Sequence, residues 1–319
     1  MKRIFVLLLA VSALFTGAAL AQSEYPAKPI RMVVGFPPGG GNDIIARLLG
    51  AKLQEAWNQS VVIDNRPGAN SNIAIEFVAK SPADGYTLLF NAAGMVINPA
   101  MYESFPVDTL RDFEPISQVA TFPFVLAVHP SVAAGTVKEL IALAKSQPGK
   151  LNYGAGAAAF QFAAELFKQQ AGIDLKHIPY KGSVQAITAL LANDVQVTVV
   201  DSLPATAHIK SGKLRALAVT SGKRASALPE VPTMIEAGVA DFDISGWAGL
   251  FAPAGTSRPI VNRLVQQTMR IVQTPDFREK LQALGSEPVG GSSEELAAIM
   301  KIQIQKFRAI AKSANIKAE

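Results

Sequence analysis

Four stretches carry residue types able to hold a small polar molecule, and each lies where an apolar, strand-like run gives way to a helix-like one. The first is Gly35-Phe36-Pro37-Pro38-Gly39-Gly40-Gly41-Asn42-Asp43. Glycines there let a backbone come close to a ligand, and a helix start offers unpaired N–H groups and the positive end of a dipole. That is the chemistry of an anion site. The same residues also make a tight strand–helix turn that holds nothing. Asn42 can donate to an anion and is the better direct contact. Asp43 would repel one, and reads as a helix cap that accepts an N–H from further into the helix. Phe36 supplies an apolar wall or packs into the core.

The second stretch, Asn152-Tyr153-Gly154-Ala155-Gly156-Ala157-Ala158-Ala159-Phe160, contains G-x-G-x-x-A, a weak form of the dinucleotide fingerprint, with Asp174 twenty residues beyond Gly154. An acidic ribose ligand ends the second strand of such a fold, whereas Asp174 precedes the run His177–Pro179. Pro179-Tyr180-Lys181-Gly182-Ser183 is the third stretch. Lys181 could form a Schiff base, but no cofactor signature accompanies it, and a solvated charge explains it as well. The fourth, Asp201-Ser202, follows the apolar run Val195–Val200 and falls where α/β proteins place ligands, or where a helix is capped.

The usual catalytic sets are missing. His129, His177 and His208 are scattered, there is no cysteine, and neither H-E-x-x-H nor G-x-S-x-G occurs. No metal, no cofactor and no catalysis is expected.

The elements that position these loops alternate as short apolar strands and amphipathic helices, which predicts an α/β fold. Strands are expected at Ile30–Val34, Val61–Asp64, Thr87–Phe90, Phe124–Val128, Leu151–Tyr153, His177–Pro179, Val195–Val200, Ala216–Val219 and Gly249–Phe251. Ile44, Ile45, Leu48, Leu49 and Leu53 form one helix face. Thr136-x-x-Glu139 and Ser292-x-x-Glu295 are capping boxes, and Pro275 stands just inside another helix start. No linker or repeat divides the chain. Crossings between two lobes are expected near Thr121-Phe122-Pro123 and within Ala240–Pro253.

Lys2 and Arg3, the uncharged run Ile4–Phe15 and Ala19-Leu20-Ala21 predict an export signal over residues 1–21, cleaved before Gln22. The apolar run is short for a membrane span, which needs about 20 residues. The formal charge is +5, and removing Lys2 and Arg3 leaves +3. Without a basic stripe this argues against nucleic acid.

Longer phrases are more specific than any loop. Tyr25-Pro26-x-Lys28-Pro29-Ile30-Arg31 leads into Gly35-Phe36-Pro37-Pro38-Gly39-Gly40; then come Asp64-Asn65-Arg66-Pro67-Gly68-Ala69, Asp84-Gly85-Tyr86-Thr87-Leu88-Leu89, Pro148-Gly149-Lys150-Leu151-Asn152-Tyr153-Gly154, Pro179-Tyr180-Lys181-Gly182, Gly212-Lys213-Leu214-Arg215-Ala216-Leu217-Ala218-Val219-Thr220, Leu228-Pro229-x-Val231-Pro232-Thr233 and Ala252-Pro253-Ala254-Gly255-Thr256. In order and along the whole exported chain, these resemble the Bug family of extracytoplasmic solute receptors, the binding components of tripartite tricarboxylate transporters.

The resemblance implies a periplasmic-binding-protein-like Venus flytrap. Lobe one comprises residues 22–122 plus 246–319, lobe two comprises 123–245, and a carboxylate sits between them. It implies a non-catalytic monomer that serves membrane permease subunits or, alternatively, a sensor domain; an exported nucleotide-dependent enzyme using the Gly154 loop is the reading from another class. Carried over, the cleft is lined by Phe36, Pro38, Gly39, Gly40, Asn42 and Asp43, by Asn91 and Ala92 in the loop after Phe90, by Gly154, Ala155, Gly156, Ala157 and Phe160, and by Asp201; Tyr180 and Lys181, at a strand end entering a helix, are added to these contacts from their position alone. Relative to the family, the Ala155–Phe162 segment is shorter by about two residues, with Ala and Phe in place of polar groups, which implies a more apolar ligand. These loops hold no Arg and only Lys181, so a carboxylate would be held by backbone N–H groups, helix ends and water.

Overall fold

The computed structural model describes residues 25–101 and 105–313; the expected export signal and its cleavage point before Gln22 lie outside the described residues. β1 (Ile30–Val34) is buried except at Arg31, as a central parallel strand should be, and pairs in parallel with β2 (Val61–Asn65) and β3 (Thr87–Asn91). Three helices connect these strands and follow them: α1 (Gly41–Trp57), α2 (Asn72–Ala79) and α3 (Gly94–Met101).

β4 (Phe113–Val128) then runs for 16 residues, far beyond an ordinary strand. Its first part pairs antiparallel with β9 (Ser245–Pro253) and, at Ala120–Thr121, with β10 (Glu287–Pro288). β9 pairs onward to β3, which completes one sheet. From Phe124 to Val128 the same strand changes partners to β7 (Val197–Asp201), and over Val125–Val128 it also pairs with β8 (Arg215–Val219). β7 continues in parallel to β5 (Asn152–Ala155), and β5 to β6 (Lys176–Pro179). One strand thus carries the chain from the first group of strands into the second. The sequence predicts only its last five residues as strand. Glu114, Pro115, Ser117 and Gln118 obscure the rest, and the pairing slips register between Pro115 and Ser117 and again between Gln118 and Ala120, where a ladder tolerates proline.

Alternation along β4 serves two cores. Leu126 and Val128 face the large cluster beneath α4 (Val137–Ser146) and α5 (Ala158–Ala171), whereas Val125 and Ala127 pack on Ile187, Leu190 and Leu228. α6 (Ser183–Leu191) and α7 (Ser202–Lys210) cover the latter face. After α8 (Arg258–Val272) and α9 (Pro275–Ala283), α10 (Ser293–Ser313) buries Leu296, Met300, Ile304 and Phe307 as one stripe, and Phe307 meets Phe162 of α5 edge-on at 5.5 Å. Both expected capping boxes form: Glu139 N–H donates to Thr136 Oγ1 and Glu295 N–H to Ser292 Oγ, with each glutamate accepting the return bond. Pro275 opens α9. Among the described residues no helix is long and apolar enough to cross a membrane.

Candidate functional site

Five strand ends converge. The turns after β1, β3, β5, β6 and β7 feed α1, α3, α5, α6 and α7, and their residues close around one cavity. Its walls are mostly apolar: Phe36, Phe122, Phe124 and Phe160 with Ala92, Ala93, Ala159 and Val184. Phe124 and Phe160 meet edge-to-face at 4.8 Å. The space enclosed is ≈ 50 Å³, room for a few water molecules.

Three of the helices start here on residues whose side chains cannot cap, and a fourth, α7, starts on Asp201, which does not cap it. The N-cap positions of α1, α5 and α6 are Gly40, Ala157 and Gly182. First-turn N–H groups at such starts must be met by something else. Two of them are met across the cavity. Gly41 N–H donates to Asp201 Oδ2 at 3.2 Å, and Ala158 N–H donates to Asn70 Oδ1 at 3.1 Å. A β-carbon on Gly41 would lie 3.0 Å from that same carboxylate oxygen, so glycine permits the first approach. Gly156 serves a different approach: a β-carbon there would stand 2.2 Å from the Gly182 carbonyl carbon, so the turns into α5 and α6 lie backbone against backbone.

Asp201 ends β7, is buried, and also accepts Ser183 Oγ–H at 3.1 Å through Oδ2. Its Oδ1 is buried without a partner. Burial pushes its pKa up to about 6, against the opposing pull of the Gly41 and Ser183 bonds. Asn42 Oδ1 is likewise buried and unpaired. Asp201 is the only charged side chain among the described residues that line the cavity.

Of the residues the sequence singles out, Phe36, Gly40, Asn42, Ala92, Gly156, Ala157, Phe160 and Asp201 line the cavity. Ala155, Tyr180 and Lys181 line an adjoining cleft together with Phe36, Asn70 and Gly156. Asn91 stands behind the wall, donating to Ser71 Oγ at 3.0 Å and accepting the Ala92 N–H. Gly154 lies within β5, where its carbonyl accepts Thr198 Oγ1–H. Pro38 and Gly39 belong to the turn but not to the cavity wall. Asp43 braces that turn differently from the expected cap. It accepts the N–H of Gly39, which precedes the helix, at 2.9 Å, together with Arg47 Nε at 2.9 Å and Asn65 Nδ2 at 2.8 Å. Asn65 Nδ2 also donates to Phe36 O at 3.0 Å. Burial raises the Asp43 pKa, and the bonds from Arg47, Gly39 and Asn65 outweigh it, leaving the carboxyl below its ordinary value.

Sequence reasoning passes over Asn70, Phe122, Phe124 and Gln185 as contacts, and names Ser183 only as the end of the third stretch; all five line the cavity. Asn70 sits in a run of left-handed backbone, Ala69 to Ser71. Its side chain bonds to Asn98, whose Nδ2 returns to Asn70 O at 2.9 Å. Asp174 lies before β6, at the end of the parallel β5–β6 pair opposite the Gly154–Ala159 turn, so the weak dinucleotide pattern brings no acidic group to it. Among the described residues no group of His, Asp or Glu is placed to hold a metal.

A cavity built from strand ends on both sides of a shared long strand, with helix starts pointing in, is the arrangement of a periplasmic solute-binding protein. Residues 45–316 match the tripartite tricarboxylate transporter family receptor, TctC, and the chain belongs to that family. It is 36% identical to protein BugT of Bordetella pertussis over 97% of this chain and 98% of that one. The structure superposes on R. palustris Rpa4515 with adipate at a TM-score of 0.90 and 35% identity, covering 92% of this chain and 99% of that one. MatC of Rhodopseudomonas palustris with bound malate follows at 0.85 and 26%, covering 90% and 99%.

Proposed function

We propose that the protein is exported with its leader removed before Gln22, captures a carboxylate with an apolar body, and delivers it to the permease subunits of a tripartite tricarboxylate-type transporter without catalysis. The observation that carries this is the cavity wall itself: helix starts opening on Gly40, Ala157 and Gly182, no cationic side chain, and four phenylalanines. N–H groups suit a carboxylate. The Phe walls suit methylenes better than hydroxyls, so a linear dicarboxylate of the adipate kind fits better than one of the malate kind; Rpa4515 and MatC were solved with adipate and malate respectively.

Residues 22–122 with 246–319 form one lobe in this reading, and 123–245 the other. They hinge where β4 changes partners at Phe122–Pro123 and where β9 begins. Asp201 and Asn70 hold the closed form across the cleft. The protein works as a monomer.

Calorimetry with adipate, malate and NAD tests the assignment. Adipate is expected to bind, malate more weakly and NAD not at all. Gly40→Val is expected to abolish binding while the protein stays folded. The Gly40 backbone is extended, and an added β-carbon would meet only Pro37 O at 3.6 Å, so the larger side chain costs the fold little but fills the cavity. NAD binding, or Gly40→Val binding adipate as well as the parent, refutes the proposal.

A further inference from the structure

We propose that this receptor takes up its carboxylate together with one proton, which is held between Asp201 and the ligand. The inference rests on the carboxylate reading above and adds what that reading leaves unbalanced. Asn42 and Asp201 both line the cavity, and the Oδ1 of each is buried without a partner. An ionised carboxylate brings only acceptors, so it satisfies neither. Asn42 resolves this by turning its amide, which presents the nitrogen. Asp201 has no such choice. Ionised, it puts a second negative charge beside the ligand's inside a Phe-lined space, where like charges repel far more than in water. Protonated, its Oδ1 becomes the missing donor.

No other group offsets the charge. From α1, Asp201 meets the Gly41 N–H; Asp43 of the same helix is turned to Gly39, Arg47 and Asn65. α6 brings Ser183 and no ionisable side chain, and Lys181 ahead of it is exposed. β4 brings Phe124, and β5 has no ionisable side chain except that of Tyr153, which bonds to Glu165. The basic residues of α7, His208 and Lys210, lie in its last turn, away from its start at Asp201. Burial already pushes the Asp201 carboxyl up to about 6 without ligand, so the proton is acquired easily near neutrality. The sign follows from linkage. Binding raises the pKa further, so affinity is full where Asp201 is already protonated and falls about tenfold per pH unit above that.

The test uses the full chain and adipate, whose carboxyls stay ionised between about pH 6.5 and 8.5. Binding heats at about pH 7 in buffers of different ionisation enthalpy are expected to show uptake of close to one proton, and Kd to rise about tenfold per pH unit. Asp201→Asn carries a donor amide with no proton to acquire; it is expected to bind with flat affinity and no uptake. Binding by the parent chain without proton uptake overturns this inference and leaves the receptor reading standing. Absence of binding by adipate and malate at every pH overturns both. Should Asp201→Asn fail to fold, the parent chain's uptake decides alone.

Discussion

Replacing Asp43 by alanine isolates the network that shapes the first turn. The carboxylate is 3% exposed and accepts three hydrogen bonds. The one from Arg47 adds little, because that side chain is 52% exposed and such pairs are worth at most about 1 kcal/mol. The bonds from Gly39 N–H and Asn65 Nδ2 are charge-assisted and lie inside the fold. At about 1–2 kcal/mol each, they bring the total loss to about 2–4 kcal/mol. An ordinary lost helix cap costs about 1 kcal/mol. Urea unfolding followed through tryptophan fluorescence separates the two, and a loss below about 1 kcal/mol would refute the network argument. Asp43→Asn keeps one acceptor and should fall between. The pH dependence has a definite sign. The Asp43 pKa is lowered on folding, so its stabilisation is present above the unfolded value near 3.9 and is lost as pH falls through the folded one. The gap between the parent chain and Asp43→Ala should therefore close in acid. Adipate affinity should also drop, because Asn65 ties Asp43 to the carbonyl of Phe36.

Gly156→Ala forces a β-carbon onto the Gly182 backbone and should cost about 1–3 kcal/mol of overpacking, with adipate binding weakened because both turns line the cavity; unchanged thermal unfolding would count against the backbone contact. Asn70→Gly keeps the left-handed backbone but removes the side-chain bonds to Ala158 N–H and to Asn98, so small-angle scattering should show a more open ligand-free protein, with some loss of stability from the Asn98 bond. Asn70→Ala should lose a further ~1 kcal/mol to backbone strain. Equal stability of the two Asn70 variants would refute the strain.

Much of the fold is legible because buried parallel strands advertise themselves. Apart from Arg31 and Thr198, Ile30–Val34 and Val197–Val200 are apolar and largely β-branched, and each turns into a helix with readable periodicity. What escapes is β4 before Phe124. A strand shared by two groups of partners needs no uniform pattern: Pro115 sits where the register slips, and Pro123 where β4 passes from β9 to β7. Local pattern reports burial and period, not which distant strand will supply the missing hydrogen bonds. The same blindness affects the cavity. Gly41 and Asp201 are 160 residues apart, and Asn70 and Ala158 are 88 apart. Each looks like an ordinary turn residue until the chain has folded. Tyr180 and Lys181 are read as cavity contacts because they follow a strand, but the turn runs on to Gly182 before the helix starts, and that carries them to the neighbouring cleft.

One signal of the site was present in the sequence in negative form. Helices whose starts do not line the cavity open on residues of capping type, Thr136, Ser257, Thr274 and Ser292, and Thr136 and Ser292 do cap. Those feeding into it open on Gly40, Ala157 and Gly182, which cannot. A side-chain cap would occupy the N–H groups from within the same segment, and no acceptor from the other side of the cleft could then use them. Asp201 tests the rule from the other direction. It is of capping type and stands at the start of α7, yet its carboxylate does not cap that helix; Oδ2 turns to the start of α1 and to Ser183. The capping capacity missing from α1 is thus supplied by a residue on another strand. A strand followed by Gly or Ala where Ser, Thr, Asp or Asn would stabilise the helix is therefore a costly choice, and it is repaid only if something outside the segment meets those N–H groups.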